Sequence, residues 1–142
     1  MKLGSVLTCL VGSAVLLLSA PATDPKVTFV PHDKVAKGGT LVSAPDLTVL
    51  ISHRASRGEA EVHDKESDTF YVLDGNATLV TGGTMVGGRV TALNQHRGTS
   101  ITGGVVHELS KGDVVVIPAG IPHWFKEVPG SIDYYVVKVL KP

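Results

Sequence analysis

An all-β fold, a sandwich or closed barrel of short antiparallel strands, is what this sequence predicts, and three observations predict it. Runs rich in Val, Ile, Thr, Tyr and Phe recur along the chain, and none keeps a helical period for more than two turns. Turn residues divide these runs at close spacing, among them the pairs Gly82-Gly83, Gly87-Gly88 and Gly103-Gly104. In the closing stretch, residues 132–140, Tyr134, Tyr135 and the β-branched residues outweigh any helical pattern.

The first 22 residues stand apart. Met1-Lys2, an apolar run over residues 6–18 and then Ser19-Ala20-Pro21-Ala22 predict a secretory signal cut after Ala22. The apolar run is shorter than the roughly 20 residues that span a bilayer and has no basic flank after it, so an anchor is not expected. Thr8 precedes Cys9 where a lipoprotein signal would carry a small residue. Cleavage would remove the only cysteine and Lys2, leaving 12 cationic against 13 acidic side chains and no thiol or disulfide chemistry. With no block of like charge, neither nucleic acid nor a membrane surface is an expected partner. The organisation expected is a signal over 1–22, an N-terminal arm over 23–40 and one barrel domain over 41–142, secreted or periplasmic.

In chain order, residues 27–30 are strand-like between Pro25 and Pro31, which suits an edge. A loop at Lys37-Gly38-Gly39 leads into Leu41-Val42 and then a longer strand over 47–53, after which Ser56-Arg57-Gly58 turns the chain. Glu61 and His63 are two apart, so on an extended backbone both leave one face, and Asp68 follows after a short polar turn. These three side chains are placed to converge on one point. Residues 69–73 form a strand, Asp74-Gly75-Asn76 has tight-hairpin chemistry, and residues 77–81 return. The glycine pairs beyond it read as turns and not as a phosphate cradle, since no helix pattern and no Lys-Ser/Thr pair follows them. Asn94-Gln95-His96-Arg97-Gly98 is the longest polar interruption and is expected to form a lip over a barrel mouth. Residues 113–117 form a buried strand, Pro118 to Pro122 a rigid turn, and His123 opens the next strand.

The two stretches around His63 and His123 together resemble the paired motifs of the cupin family. The second motif matches at Gly112, Pro118, Gly120 and His123, with Glu127 where asparagine is usual. The first matches at His63 and Gly75, with Glu61 in place of its first histidine and Asp68 in place of its glutamate. The resemblance implies a jelly roll, or double-stranded β-helix, over roughly residues 40–140, and a metal held by Glu61, His63, Asp68 and His123. Two imidazoles with carboxylates favour Fe, Mn or Zn over copper. Asp68, one methylene shorter than glutamate, is either a ligand or a group that orients His63. Glu66 is expected to be a solvated loop charge. His107 and His53 are candidates to face the cavity, and His107 or Glu61 is the expected proton-transfer group. Phe70 and Phe125 share strand faces with Asp68 and His123 and are expected to wall the pocket.

The function expected is a metal-dependent cupin acting on a small polar, oxygen-bearing organic molecule by oxygenase, isomerase or lyase chemistry. The alternative is a non-catalytic barrel that binds a sugar or other small ligand through Glu61 and His63 without metal. The family's habit of pairing through outer strands makes a homodimer the default.

Overall fold

The computed structural model describes residues 26–141; the expected signal over 1–22 lies outside them. A one-turn helix, α1 (His32–Val35), precedes twelve strands: β1 (Gly39–Ser43), β2 (Leu47–Arg54), β3 (Ala60–His63), β4 (Glu66–Thr81), β5 (Thr84–Val86), β6 (Arg89–Ala92), β7 (Gln95–Gly98), β8 (Ser100–Thr102), β9 (Val105–Ser110), β10 (Val114–Ile117), β11 (His123–Glu127) and β12 (Ile132–Leu140). Residues 27–30, expected as strand, take no regular structure.

The 16-residue strand β4 organises the rest. Its first half pairs with β10 on one side and β12 on the other. Its second half pairs with β9 and β11. Two curved layers therefore share one strand: β1, β2, β12, β4 and β10 in one, and β9, β4, β11, β3, β7 and β6 in the other. The hairpin expected at Asp74-Gly75-Asn76 does not form. The chain instead runs on through Gly75, whose φ of 79° turns the strand from one layer into the other. Glycine is required there for a second reason, since a Cβ would come 2.0 Å from the Ser131 carbonyl oxygen.

Period-two alternation then sorts the side chains. Phe70, Val72, Ala77, Leu79, Phe125, Ile132, Tyr134 and Val136 point between the layers and form the main core. On the other side of the second layer, Val80 and Trp124 pack with Ala60 and Ile101 under the small β5–β8 sheet. Trp124 donates its indole N–H to the Gly58 carbonyl at 2.8 Å, which ties the β2–β3 loop to β11. Towards one end of the core the inward positions change from apolar to ionisable, and there His63, Asp68 and His123 are buried.

Candidate metal centre

Strand β3 lies between β11 and β7, so Glu61 is flanked by His123 on one side and Arg97 on the other, and His63 is paired with Gln95. Asp68 arrives from the opposite layer, directly across from Lys138 of β12. The turn before β11 is fastened to both parts of the first motif. Gly120 donates to the His63 carbonyl at 2.8 Å, and Ala119 to the Ser67 hydroxyl at 3.1 Å. Gly120, with φ 83°, is the left-handed position that lets this turn close.

The side chains meet as the alternation predicts. His63 Nε2 is 3.5 Å from Glu61 Oε2 and 3.4 Å from Asp68 Oδ2. His123 Nε2 is 3.9 Å from the same Glu61 oxygen and 3.8 Å from the same Asp68 oxygen. One ligand atom each from Glu61, His63 and His123 lies within 4.8 Å of the others. A divalent transition metal takes nitrogen and carboxylate donors at about 2.0–2.2 Å, so donors to one ion are at most about 4.4 Å apart. Small side-chain rotations close that gap, and these three residues fit an ion. The outward-facing ring nitrogens are already fixed: Nδ1 of His123 donates to the Ile121 carbonyl at 3.2 Å, and Nδ1 of His63 is bonded to the Gln95 side-chain oxygen. Gln95 in turn donates to Glu66 at 2.7 Å. Such bonds set tautomer and ring orientation, leaving both Nε2 atoms aimed inward.

Asp68 is different. Both of its oxygens accept from the Lys138 ammonium at 2.8 Å, and that ammonium also lies 3.0 Å from His63 Nε2. The fourth expected ligand is therefore already engaged by a cation that the chain itself supplies.

Charge follows the geometry. Burial pushes the Glu61 carboxyl up, but the hydrogen bond from His63 and the positive charge of Arg97 outweigh it and hold it at about 2. Burial pushes His63 down, but hydrogen bonds to Asp68 and Glu61 prevail against it and against Lys138 and bring it to about 9. Burial likewise raises Asp68, and the bonds from His63 and Lys138 reverse that and leave it below the usual carboxylate range. For His123 burial wins over the Ile121 carbonyl and the two carboxylates, and the imidazole is lowered and neutral. A stability maximum near pH 6.5 is expected for the metal-free protein. The His63 contribution is complete below its ordinary 6.5 and is lost as pH rises through about 9. On the acid side His123 opposes folding below 6.5, and the Glu61 contribution is lost as pH falls from 4.5 towards about 2. The alkaline loss is on the order of 3 kcal/mol, and urea unfolding across the pH range measures it; a curve flat between neutral pH and pH 9 would show that His63 is not held protonated.

Several residues of this centre differ from expectation. Glu66 is not a solvated loop charge but opens β4 half-buried, holding Gln95. The polar stretch 94–98 is not a lip: Asn94 is the turn residue, with φ 60°, and Gln95–Gly98 is strand β7, which brings Gln95 to His63 and Arg97 into an ion pair with Glu61. His107, half-buried, bonds Thr81 at 2.9 Å, and His53 bonds Asp133 at 2.8 Å on the exposed side; neither lines the cavity beside the cluster. Phe70 and Phe125 do line it. That cavity, about 240 Å³, runs from Glu61, Asp68, His123 and Lys138 between the layers to Arg54.

No protein-family model matches the chain, and no curated protein matches its sequence. Solved structures do match. The protein BH2720 from Bacillus halodurans is 16% identical over 84% of this chain and 86% of its own, with a TM-score of 0.57. The cupin domain of Schizosaccharomyces pombe Cnp3 is 12% identical, with a TM-score of 0.53; 73% of this chain is covered, and it spans 60% of that one. The iron(II) form of HppE is 17% identical over 71% of this chain and 49% of its own, with a TM-score of 0.50. Two layers sharing a bent strand and likeness to cupin and double-stranded β-helix structures give one conclusion: the chain folds as the all-β jelly-roll barrel of cupin domains.

Proposed function

We propose that the barrel holds a divalent transition metal, Fe, Mn or Zn, through Glu61, His63 and His123, and uses it on a small oxygen-bearing organic molecule in the adjoining cavity. One observation carries this reading: three donors of the right chemistry lie within 4.8 Å, and both imidazoles are hydrogen-bonded so that their Nε2 atoms face inward. When bound, the ion supplies Lewis acidity and, for iron or manganese, redox chemistry. The chain's residues do the rest. Arg97 anchors Glu61, Gln95 orients His63, and Ile121 orients His123. Lys138 carries ammonium hydrogens beside the cavity, within reach of an oxygen of a bound molecule. Glu61, held ionised, accepts rather than donates a proton at neutral pH. Oxygenase, isomerase and lyase reactions all use these elements.

Elemental analysis of untagged protein after exposure to each ion in turn, followed by dialysis, tests the reading. Near-stoichiometric iron, manganese or zinc is expected. Absence of all three after reconstitution would remove the metal and with it the enzymatic reading.

A second reading has an observation of its own. Lys138 already places a positive charge against Asp68 and His63, as a metal-free barrel that binds its ligand by hydrogen bonds would require. In that case ligand binding is unchanged by a chelator.

A further inference from the structure

Arg54 is the one cation of the cavity wall without an acidic partner among the described residues. Lys138 is paired with Asp68, and Arg97 with Glu61. Even Glu59 at the cavity edge is taken, by Arg89 at 2.8 Å. Among the described residues no carboxylate lies within 4.0 Å of the Arg54 guanidinium, and its Nε is enclosed by protein with no hydrogen-bond acceptor. What the cavity meets is therefore a guanidinium whose charge no carboxylate of the described residues offsets, and a charged donor left unpaired costs on the order of 1–3 kcal/mol or more, so an anion entering the cavity is the partner that this wall lacks.

The guanidinium is also held in place. It lies over the Phe125 ring, 4.8 Å from the centroid, in cation–π contact. It also lies close against Gly58, where a Cβ would come 2.5 Å from Nη1. Gly58 itself is fixed to β11, donating to the Phe125 carbonyl at 3.1 Å and accepting from Trp124 at 2.8 Å. Ring and glycine thus clamp a planar fork whose preferred partner is a carboxylate bridging two of its N–H groups. Between Arg54 and the Glu61–His123 end the wall is largely apolar, with Phe70, Tyr134 and Val136. The volume of about 240 Å³ is below the roughly 300–1,000 Å³ of pockets for drug-sized ligands.

We propose that the cavity takes a small organic carboxylate, with its acid group on Arg54, its carbon body along Phe70 and Tyr134, and its other end at the histidines. This names the substrate class of the proposed centre and rests on the cavity being its binding site, but the Arg54 contact does not itself require a metal.

The test uses pairs of probes that differ only in the acid group: acetate and acetamide, benzoate and benzamide, phenylacetate and phenylacetamide, 4-hydroxybenzoate and 4-hydroxybenzamide. Each pair is titrated calorimetrically into the full-length protein, chelator-treated and zinc-loaded, while the Arg54 Nε–H resonance is followed by NMR. At least one acid is expected to bind about tenfold or more tighter than its amide and to shift the Arg54 Nε–H signal. Arg54→Met should abolish the preference with its zinc content unchanged, and Arg54→Lys, which keeps the charge but loses the fork, should retain only part of it. If every acid binds no better than its amide, or if the preference survives in Arg54→Met, the proposal is overturned; a bound water serving as the missing acceptor would give the first of these results. Elemental analysis of the protein after exposure to each ion separates the two readings. Acid preference in a protein that retains none of iron, manganese and zinc would leave this inference standing and remove the metal centre, and metal retention without acid preference would do the reverse.

Discussion

Lys138→Met is expected to have opposite effects on the metal-free and metal-loaded protein. In the metal-free barrel the substitution leaves Asp68, almost fully buried, without the ammonium that bonds both its oxygens at 2.8 Å. Breaking a buried pair from one side costs about 3–5 kcal/mol. The lower figure is the expected loss, because His63, 3.4 Å from Asp68, remains as a partner. Zinc affinity should move the other way. An ammonium 3.0 Å from His63 Nε2 repels any cation that this nitrogen coordinates, and two unit charges about 4 Å apart near a protein surface interact by about 4 kcal/mol. Removing it also frees Asp68 to act as a fourth donor. A gain on the order of a hundredfold is therefore a modest expectation, and saturating zinc should restore the stability lost without it. Urea unfolding with and without zinc, with affinity read by competition against a chromophoric chelator, gives both numbers. Unchanged zinc affinity would mean that Lys138 is a structural partner of Asp68 and no competitor of the metal.

His123→Ala is expected to weaken zinc binding by more than about a hundredfold, since even changes to groups that merely orient a ligand cost 10–100-fold. His123 is the most readily available donor of the cluster. Burial keeps its imidazole neutral at pH 7, so no proton has to leave Nε2, whereas His63 is protonated until about pH 9. The two histidines thus differ in a measurable way. Zinc binding to the wild type should strengthen from neutral pH towards pH 9, as the proton on His63 becomes easier to remove, while His123→Ala stays weak throughout. The variant should still fold, because His123 lies at the ionisable end of the interior and outside the apolar cluster. A folded His123→Ala protein that retains zinc as the wild type does would exclude His123 from the centre.

The sequence reveals different parts of this architecture to different degrees, for physical reasons. Glu61 and His63 are placed together by a spacing of two in β3, because period-two geometry is local and needs no knowledge of neighbouring strands, whereas His123 joins them only through the resemblance of Gly112, Pro118, Gly120 and His123 to the second cupin motif. Lys138 is hidden by the same rule. In β12 both alternating faces carry large apolar residues, Ile132, Tyr134 and Val136 on one and Tyr135, Val137 and Val139 on the other. Composition therefore cannot say which face carries Lys138 inward; only pairing with β4 decides it. Gln95 and Arg97 are concealed because β7 lacks the β-branched and aromatic residues that mark a strand, and its strand form comes from pairing with β3. The tight turn expected at Asp74-Gly75-Asn76 fails because a left-handed glycine serves a bend within a strand as well as a hairpin tip. Arg54 shows its importance only through what it lacks, and a missing partner cannot be read from a sequence.

The shared strand β4 also makes the site a product of contacts far apart in sequence. Asp68 meets Lys138 at a sequence separation of 70, and Gln95 meets His63 at one of 32; β11, which carries His123, pairs with β3 and with the far half of β4. Contacts this distant form late and together, because loop closure must precede any gain from them. The donors Glu61, His63 and His123 all belong to one layer, and the contacts of Lys138 with Asp68 and His63 are what join the two layers at the site. A cation arriving at this end of the closed barrel would meet the Lys138 charge already in place.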